Sequence, residues 1–162
     1  MKDKTRKLPI SVAMTARNEA KNLPRCLGAV RDWVSEIVVV ANDCTDGTED
    51  VARGLGAQVH ESAWSGFRDQ KNKAVELATQ PWVLALDADE VVSEELRDEI
   101  FDFFDGRDEK FHGASCPRKV WFLGRWITHG DWYPDRVTRL FRRESGVWAG
   151  STEHCFVDVK GA

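Results

Sequence analysis

Apolar positions along the first 105 residues recur in two rhythms that alternate. Ile10 to Met14 is a short apolar run of the kind that forms a buried strand. Leu23, Leu27, Val30 and Val34 then repeat at helical spacing. Ile37-Val38-Val39-Val40 is continuous and β-branched, as a strand covered on both faces is. Asp46, followed three residues later by Glu49, reads as a capping box opening a helix through Val51, Ala52 and Leu55, which Gly54 and Gly56 end. Gln58 to His60 is a third, shorter strand. A helix carrying Phe67, Ala74, Val75 and Ala78 comes next, and Pro81 starts the strand Trp82 to Leu86. Ser93 then caps an amphipathic helix bearing Leu96, Ile100 and Phe103. This β-α-β-α-β-α-β-α series predicts an α/β fold with a mostly parallel sheet and right-handed crossovers.

Beyond Gly106 the rhythm changes. Short β-like pieces, Val120 to Phe122, Val137 to Phe141 and Phe156 to Val159, are joined by loops bearing Gly and Pro. No repeat or low-complexity linker separates them from the first part. Residues 1–162 therefore read as one domain, an α/β half over 1–105 with a β-rich extension over 106–162 packed onto its sheet. The chain stops directly after a strand-like segment, which reads as a C-terminal truncation.

Composition narrows the class. A chain of 162 residues with 42% hydrophobic and 31% charged residues has the balance of a soluble globular domain. Its net charge of −4 argues against nucleic acid as the partner, because phosphate binding over a large surface needs a basic excess. The basic Met1 to Lys7 run is not followed by a signal-like apolar stretch, and no apolar run reaches the roughly 18 residues of a membrane span. Cys26, Cys44, Cys116 and Cys155 lack CxxC spacing and read as reduced thiols of a cytoplasmic protein. Trp82, inside an apolar strand, is expected in the core.

In an open parallel sheet, ligands bind beyond the carboxyl ends of the strands. The first strand delivers Thr15, Arg17 and Glu19 there, the second Asn42 and Asp43, and the fourth Asp87, Ala88 and Asp89. Two carboxylates in a D-x-D triplet repel one another unless a cation or ribose hydroxyls come between them. Mg2+ or Mn2+ suits such oxygen ligands, so Asp87 and Asp89 are the candidate metal residues. Neither a GxGxxG turn nor a phosphate-binding GK[ST] loop is present, which leaves the metal, Arg17 or Lys71 to hold phosphates. The Gly66 to Asn72 segment opens the third helix with basic groups at its N-terminus, an anion-binding arrangement.

These residues carry a family resemblance over nearly the whole chain. Thr15-Ala16-Arg17-Asn18-Glu19, Asp43-Cys44-Thr45-Asp46-Gly47-Thr48 and Asp87-Ala88-Asp89 resemble the motifs of the family 2 inverting glycosyltransferases of GT-A, Rossmann-like fold. Phe122 to Trp126, His129 to Asp135 and Arg139 to Arg143 resemble the branch that adds sugars to the lipopolysaccharide core. The resemblance implies a nucleotide-diphosphate sugar as donor, a saccharide or glycolipid as acceptor, and contact with the inner membrane surface through C-terminal residues beyond this chain. It makes 1–105 the nucleotide-sugar-binding half and 106–162 the acceptor side. Thr15 and Asp43 then line the nucleobase and ribose pocket, Asp87 faces ribose and metal, and Asp89 binds the metal on the diphosphate.

His129, Trp132 and Tyr133 are expected to shape the acceptor site, with Trp132 and Tyr133 at least partly exposed beside the D-x-D. Two departures stand out. Ala41 occupies a position often acidic in the family, so Asn42 or Asp43 is expected to take that role. Cys155 occupies the position where the branch carries a Glu after His154. Glu153, two residues earlier and on the same face if the segment is a strand, is the expected base; Asp131 and Asp135 are the alternatives. A nucleotidyltransferase and a sugar-nucleotide binder without turnover are the competing readings.

Overall fold

The computed structural model describes residues 5–130 and 133–161. In chain order the elements are β1 (Leu8–Ala16), α1 (Leu23–Gly28), β2 (Val34–Ala41), α2 (Thr48–Gly54), β3 (Gln58–Glu61), α3 (Phe67–Leu77), β4 (Trp82–Ala85), α4 (Glu94–Phe104), β5 (Gly113–Arg118), β6 (Val120–Phe122), β7 (Arg125–Ile127), β8 (Asp135–Arg142), β9 (Gly146–Gly150) and β10 (Cys155–Val159). Six strands form one sheet in the order β3-β2-β1-β4-β8-β5. The first four are parallel, and β8 runs antiparallel to both β4 and β5. The expected α/β architecture with a mostly parallel sheet is present.

Side-chain alternation sorts the strands into two cores. Ile10, Val12, Met14 and Ala16 of β1, with Val39, Trp82, Leu84 and Leu140, face one layer with Leu23 and Leu27 of α1 and Ile100 and Phe101 of α4. Ala13, Val40, Val83, Ala85 and Phe141 face the opposite layer, covered by Ala74 and Val75 of α3 and by Trp148 and Val157 of the β9–β10 hairpin. Trp82 is fully buried, as its strand context predicts, with the Phe103 and Phe104 rings edge-on to it. The hairpin is tied to α3 by a reciprocal pair: Asn72 Nδ2 donates to the Trp148 carbonyl and the Trp148 amide donates to Asn72 Oδ1, at 3.0 and 2.9 Å.

Several local expectations are corrected. The helical spacing of Leu23, Leu27, Val30 and Val34 does not extend one helix, because α1 ends at Gly28 and Val34 opens β2, paired with Leu8. Asp46 and Glu49 do not form a capping box. The helix starts at Thr48 behind a left-handed Gly47, and Asp46 Oδ1 instead accepts from the Thr48 amide and hydroxyl. β5, β7 and β9 lie where no strand was expected. Ser93 does cap α4, accepting from the Leu96 amide at 3.2 Å.

Candidate active site

Three loops at the carboxyl edge of the sheet are fastened to one another by short side chains. The Asn18 side chain, on a left-handed residue of the β1–α1 loop, accepts from the Thr45 amide at 2.8 Å. The Glu19 amide donates to Thr48 Oγ1, and the Ala20 amide to Asp46 Oδ2. Thr15 Oγ1 donates to Asn42 Oδ1 at 2.7 Å, and Asn42 Nδ2 donates to the Ser62 carbonyl. Asn42 is fully buried, so it braces the β1, β2 and β3 ends against each other without reaching a ligand. The polar residues between Thr15 and Thr48 are largely a structural lattice beneath the site.

Beyond that lattice lies a cleft of about 840 Å³, within the range of small-molecule sites. Thr15, Arg17, Glu19, Lys71, Asp87, Ala88, Asp89 and Glu153 line it. β8 enters the edge beside β4, pairing Leu140 with Leu84, so its amino-terminal half overhangs the D-x-D loop. That placement brings in Arg139, which the sequence analysis placed in a branch motif without giving it a role in the site. Arg139 is 7% exposed, and its Nη2 donates to Asp87 Oδ2 at 3.0 Å and to Glu90 Oε1. On the other side Lys71 Nζ reaches Asp87 Oδ1 at 2.6 Å. Both cations also face the Trp148 ring, at 4.3 Å for Lys71 and 5.8 Å for Arg139. Nothing local marked Arg139, because β8 reads Asp-Arg-Val-Thr-Arg-Leu-Phe-Arg and only its pairing with β4 buries the third of these charges.

The electrostatics follow from this clamp. Burial alone would raise the Asp87 carboxyl, but the Lys71 ammonium and the Arg139 guanidinium outweigh it and hold the group below the usual carboxylate range. Burial disfavours the Arg139 charge, and the Glu90 and Asp87 carboxylates reverse that and raise it. Arg139 Nε is buried with no hydrogen-bond partner among the described residues. Glu90 closes the loop, accepting from the Asp87 amide at 3.0 Å. Beneath the loop, burial lifts the Cys26 thiol to about 12, so it is a packing group and not a nucleophile.

Asp89 is the contrast. It is exposed at the cleft and makes no ion pair with a described residue. No group of three or more candidate metal-ligating side chains occurs among the described residues. One free carboxylate next to one clamped carboxylate fits a hard divalent cation whose remaining ligands are substrate phosphates and water. Asp89, with Asp87, would hold it.

Other expected site residues fall elsewhere. Asp43 is exposed on a left-handed residue and does not line the cleft. His129 is exposed, with Nδ1 3.4 Å from the Thr128 hydroxyl, and is not among the lining residues either. Tyr133 is half-buried and likewise absent from the lining, while Trp132 and Asp131 lie outside the described residues. Asp135 starts β8 and is paired with Arg118 at 2.6 Å. Glu153 is not on a strand: β10 begins at Cys155, so the shared-face argument does not apply, and Glu153 reaches the cleft from the exposed bend before it. The cleft also holds aromatic residues that sequence reading passed over. Trp64 and Phe67 meet edge-on at 4.7 Å at its rim, and exposed Phe156 lines it too.

An α/β sheet with acidic loops at its carboxyl edge, completed by an antiparallel strand beside the D-x-D, is a fold of GT-A type. The chain belongs to glycosyl transferase family 2, whose model matches residues 11–158. It is 38% identical over 154 residues to an uncharacterized glycosyltransferase of Rickettsia prowazekii, covering 90% of this chain and 51% of that protein. It is 30% identical over 145 residues to the lipopolysaccharide core biosynthesis glycosyltransferase LpsC of Rhizobium meliloti, covering 86% of this chain and 53% of LpsC. The chain thus spans about half the length of these curated relatives. Among solved structures, TarS 1-349 of S. aureus in complex with UDP-GlcNAc superposes with a TM-score of 0.60 at 18% identity, over 84% of this chain and 47% of that one. The mannosyltransferase PcManGT of Pyrobaculum calidifontis, in complex with GDP-Man and Mn2+, gives 0.54 at 25% identity, over 70% and 36%.

Proposed function

We propose that this chain moves a sugar from a nucleotide-diphosphate donor to a saccharide or glycolipid acceptor, with inversion, in the synthesis of lipopolysaccharide core or another cell-envelope glycan. The observation that carries the reading is the asymmetric D-x-D: Asp87 locked between Lys71 and Arg139, and Asp89 free at the cleft. The donor's diphosphate lies over this loop, where the cationic side chains and the adjoining α3 N-terminus favour negative charge. Asp89, with Asp87, would hold a divalent cation, Mg2+ or the Mn2+ of the Pyrobaculum mannosyltransferase complex, which would supply further positive charge to the departing diphosphate.

Thr15, Arg17 and Glu19 form the wall on the nucleotide side. The acceptor enters past Trp64, Phe67 and Phe156, whose faces offer stacking surfaces for sugar rings, and Glu153 takes the proton of its attacking hydroxyl. His129 and Tyr133 extend the acceptor side beyond the cleft lining. The LpsC relationship supports the envelope-glycan role; no helix among the described residues is long and apolar enough to cross a membrane.

Incubation with labelled UDP- and GDP-sugars tests the reading. Release of nucleoside diphosphate marks the transferase, pyrophosphate a nucleotidyltransferase, and binding without turnover a sugar-nucleotide binder. Asp89→Asn should abolish Mn2+-dependent nucleotide binding with the fold intact; nucleotide affinity unchanged by that substitution would remove the metal assignment.

A further inference from the structure

Among the described residues β6 and β7 pair with each other alone, forming a two-stranded sheet separate from the main one. The chain leaves the cleft wall at Arg118, makes this hairpin, and returns to the wall at Arg136. Its turn is Leu123-Gly124, both with positive φ (47° and 79°), as a tight two-residue hairpin requires. A left-handed position favours Gly or Asn and disfavours a bulky aliphatic residue. Leu123 nonetheless occupies it and is 86% exposed.

Trp121 and Trp126 flank the turn, each 57% exposed, with their rings edge-on at 5.1 Å; Phe122 is 47% exposed. Exposed single apolar residues are ordinary, but four large ones within the six residues from Trp121 to Trp126 are not. The charge around it is one-sided. Lys119 and Arg125 put positive charge beside the tip in a chain of net charge −4, while the nearby Arg118 is paired with Asp135.

From these features we infer that the β6–β7 hairpin is a membrane-docking element that inserts its tip into the interfacial layer of an anionic phospholipid bilayer. Trp rings favour the water–lipid boundary because one edge is apolar and the other donates a hydrogen bond. Leu123 enters the acyl boundary, and Lys119 and Arg125 meet the headgroups. Because β6 begins two residues after the cleft-lining Arg118, docking holds that wall of the cleft near the lipid surface. The inference requires neither donor nor divalent cation, so it stands or falls separately from the transfer reaction.

Sedimentation of the whole chain with vesicles tests it. The wild-type chain should pellet with phosphatidylcholine vesicles containing phosphatidylglycerol, less with phosphatidylcholine alone, and less as salt rises. Leu123→Asp suits the left-handed turn and should lower the vesicle partition coefficient at least about tenfold while the chain stays folded. Arg125→Glu should weaken binding to the anionic vesicles and leave the weaker binding to neutral ones unchanged. Failure of the wild-type chain to pellet at low salt overturns the inference, as does equal pelleting of Leu123→Asp. So does a dimer that Leu123→Asp converts to monomer, since the tip would then serve a second copy of the chain.

Discussion

At the scale of single residues the site is a set of charges held at fixed separations. Removing Arg139 leaves Asp87 and Glu90 together without their shared cation. Arg139→Met should destabilise the chain at neutral pH by about 2–4 kcal/mol, below the full cost of a broken buried pair because Asp87 is partly open to solvent. The folded-state pKa of Asp87 is depressed, so the clamp contributes stability above the unfolded carboxylate pKa and loses it as pH falls through the folded value. Urea denaturation across pH should therefore show the gap between Arg139→Met and wild type closing on acidification. Glu153 makes the opposite kind of contribution, to rate and not to stability. Glu153→Gln should lower kcat at least about a hundredfold with donor KM little changed, read from steady-state kinetics. The D-x-D loop was legible because a short acidic motif directly after an apolar strand stands out in sequence. Arg139 was not, because its partners lie 49 and 52 positions away.

At the scale of elements, the four αβ units were readable because their apolar spacing is local. The later strands were obscured by their own composition. β5 reads Gly-Ala-Ser-Cys-Pro-Arg, and Pro117 is tolerated there because β5 is the sheet's edge. β9 begins and ends in glycine, and both are demanded by packing. A Cβ on Gly146 would lie 2.1 Å from the Phe141 ring, and one on Gly150, at φ 88°, 2.6 Å from the His154 carbonyl. Gly150→Ala should destabilise by about 1–3 kcal/mol in thermal or urea unfolding, from overpacking and an unfavourable φ. It should also depress turnover beyond what the lost stability explains, because the same turn carries Glu153. A wild-type kcat in Gly150→Ala would detach that turn from the chemistry.

At the scale of the whole molecule, sheet and site form one object, since the cleft is walled by loops from both ends of the sequence. A nucleoside diphosphate with Mn2+ should therefore stabilise the entire chain, by about 2.7 kcal/mol at a ligand concentration 100 times the dissociation constant. A thermal-shift series with and without Mn2+ measures this, and the cation-dependent part should vanish in Asp89→Asn. The amino-acid sequence by itself determined the parallel α/β core and the three acidic strand ends, because hydrophobic period and strand-end polarity are properties of neighbouring residues. Only the tertiary structure decided that β8 and β5 complete the sheet, that Asn42 is a brace, and that Asp87 is clamped while Asp89 is free. It also decided that Glu153 meets the cleft from a bend. Each of these depends on pairing between distant segments, where registry and burial, not local propensity, set the geometry.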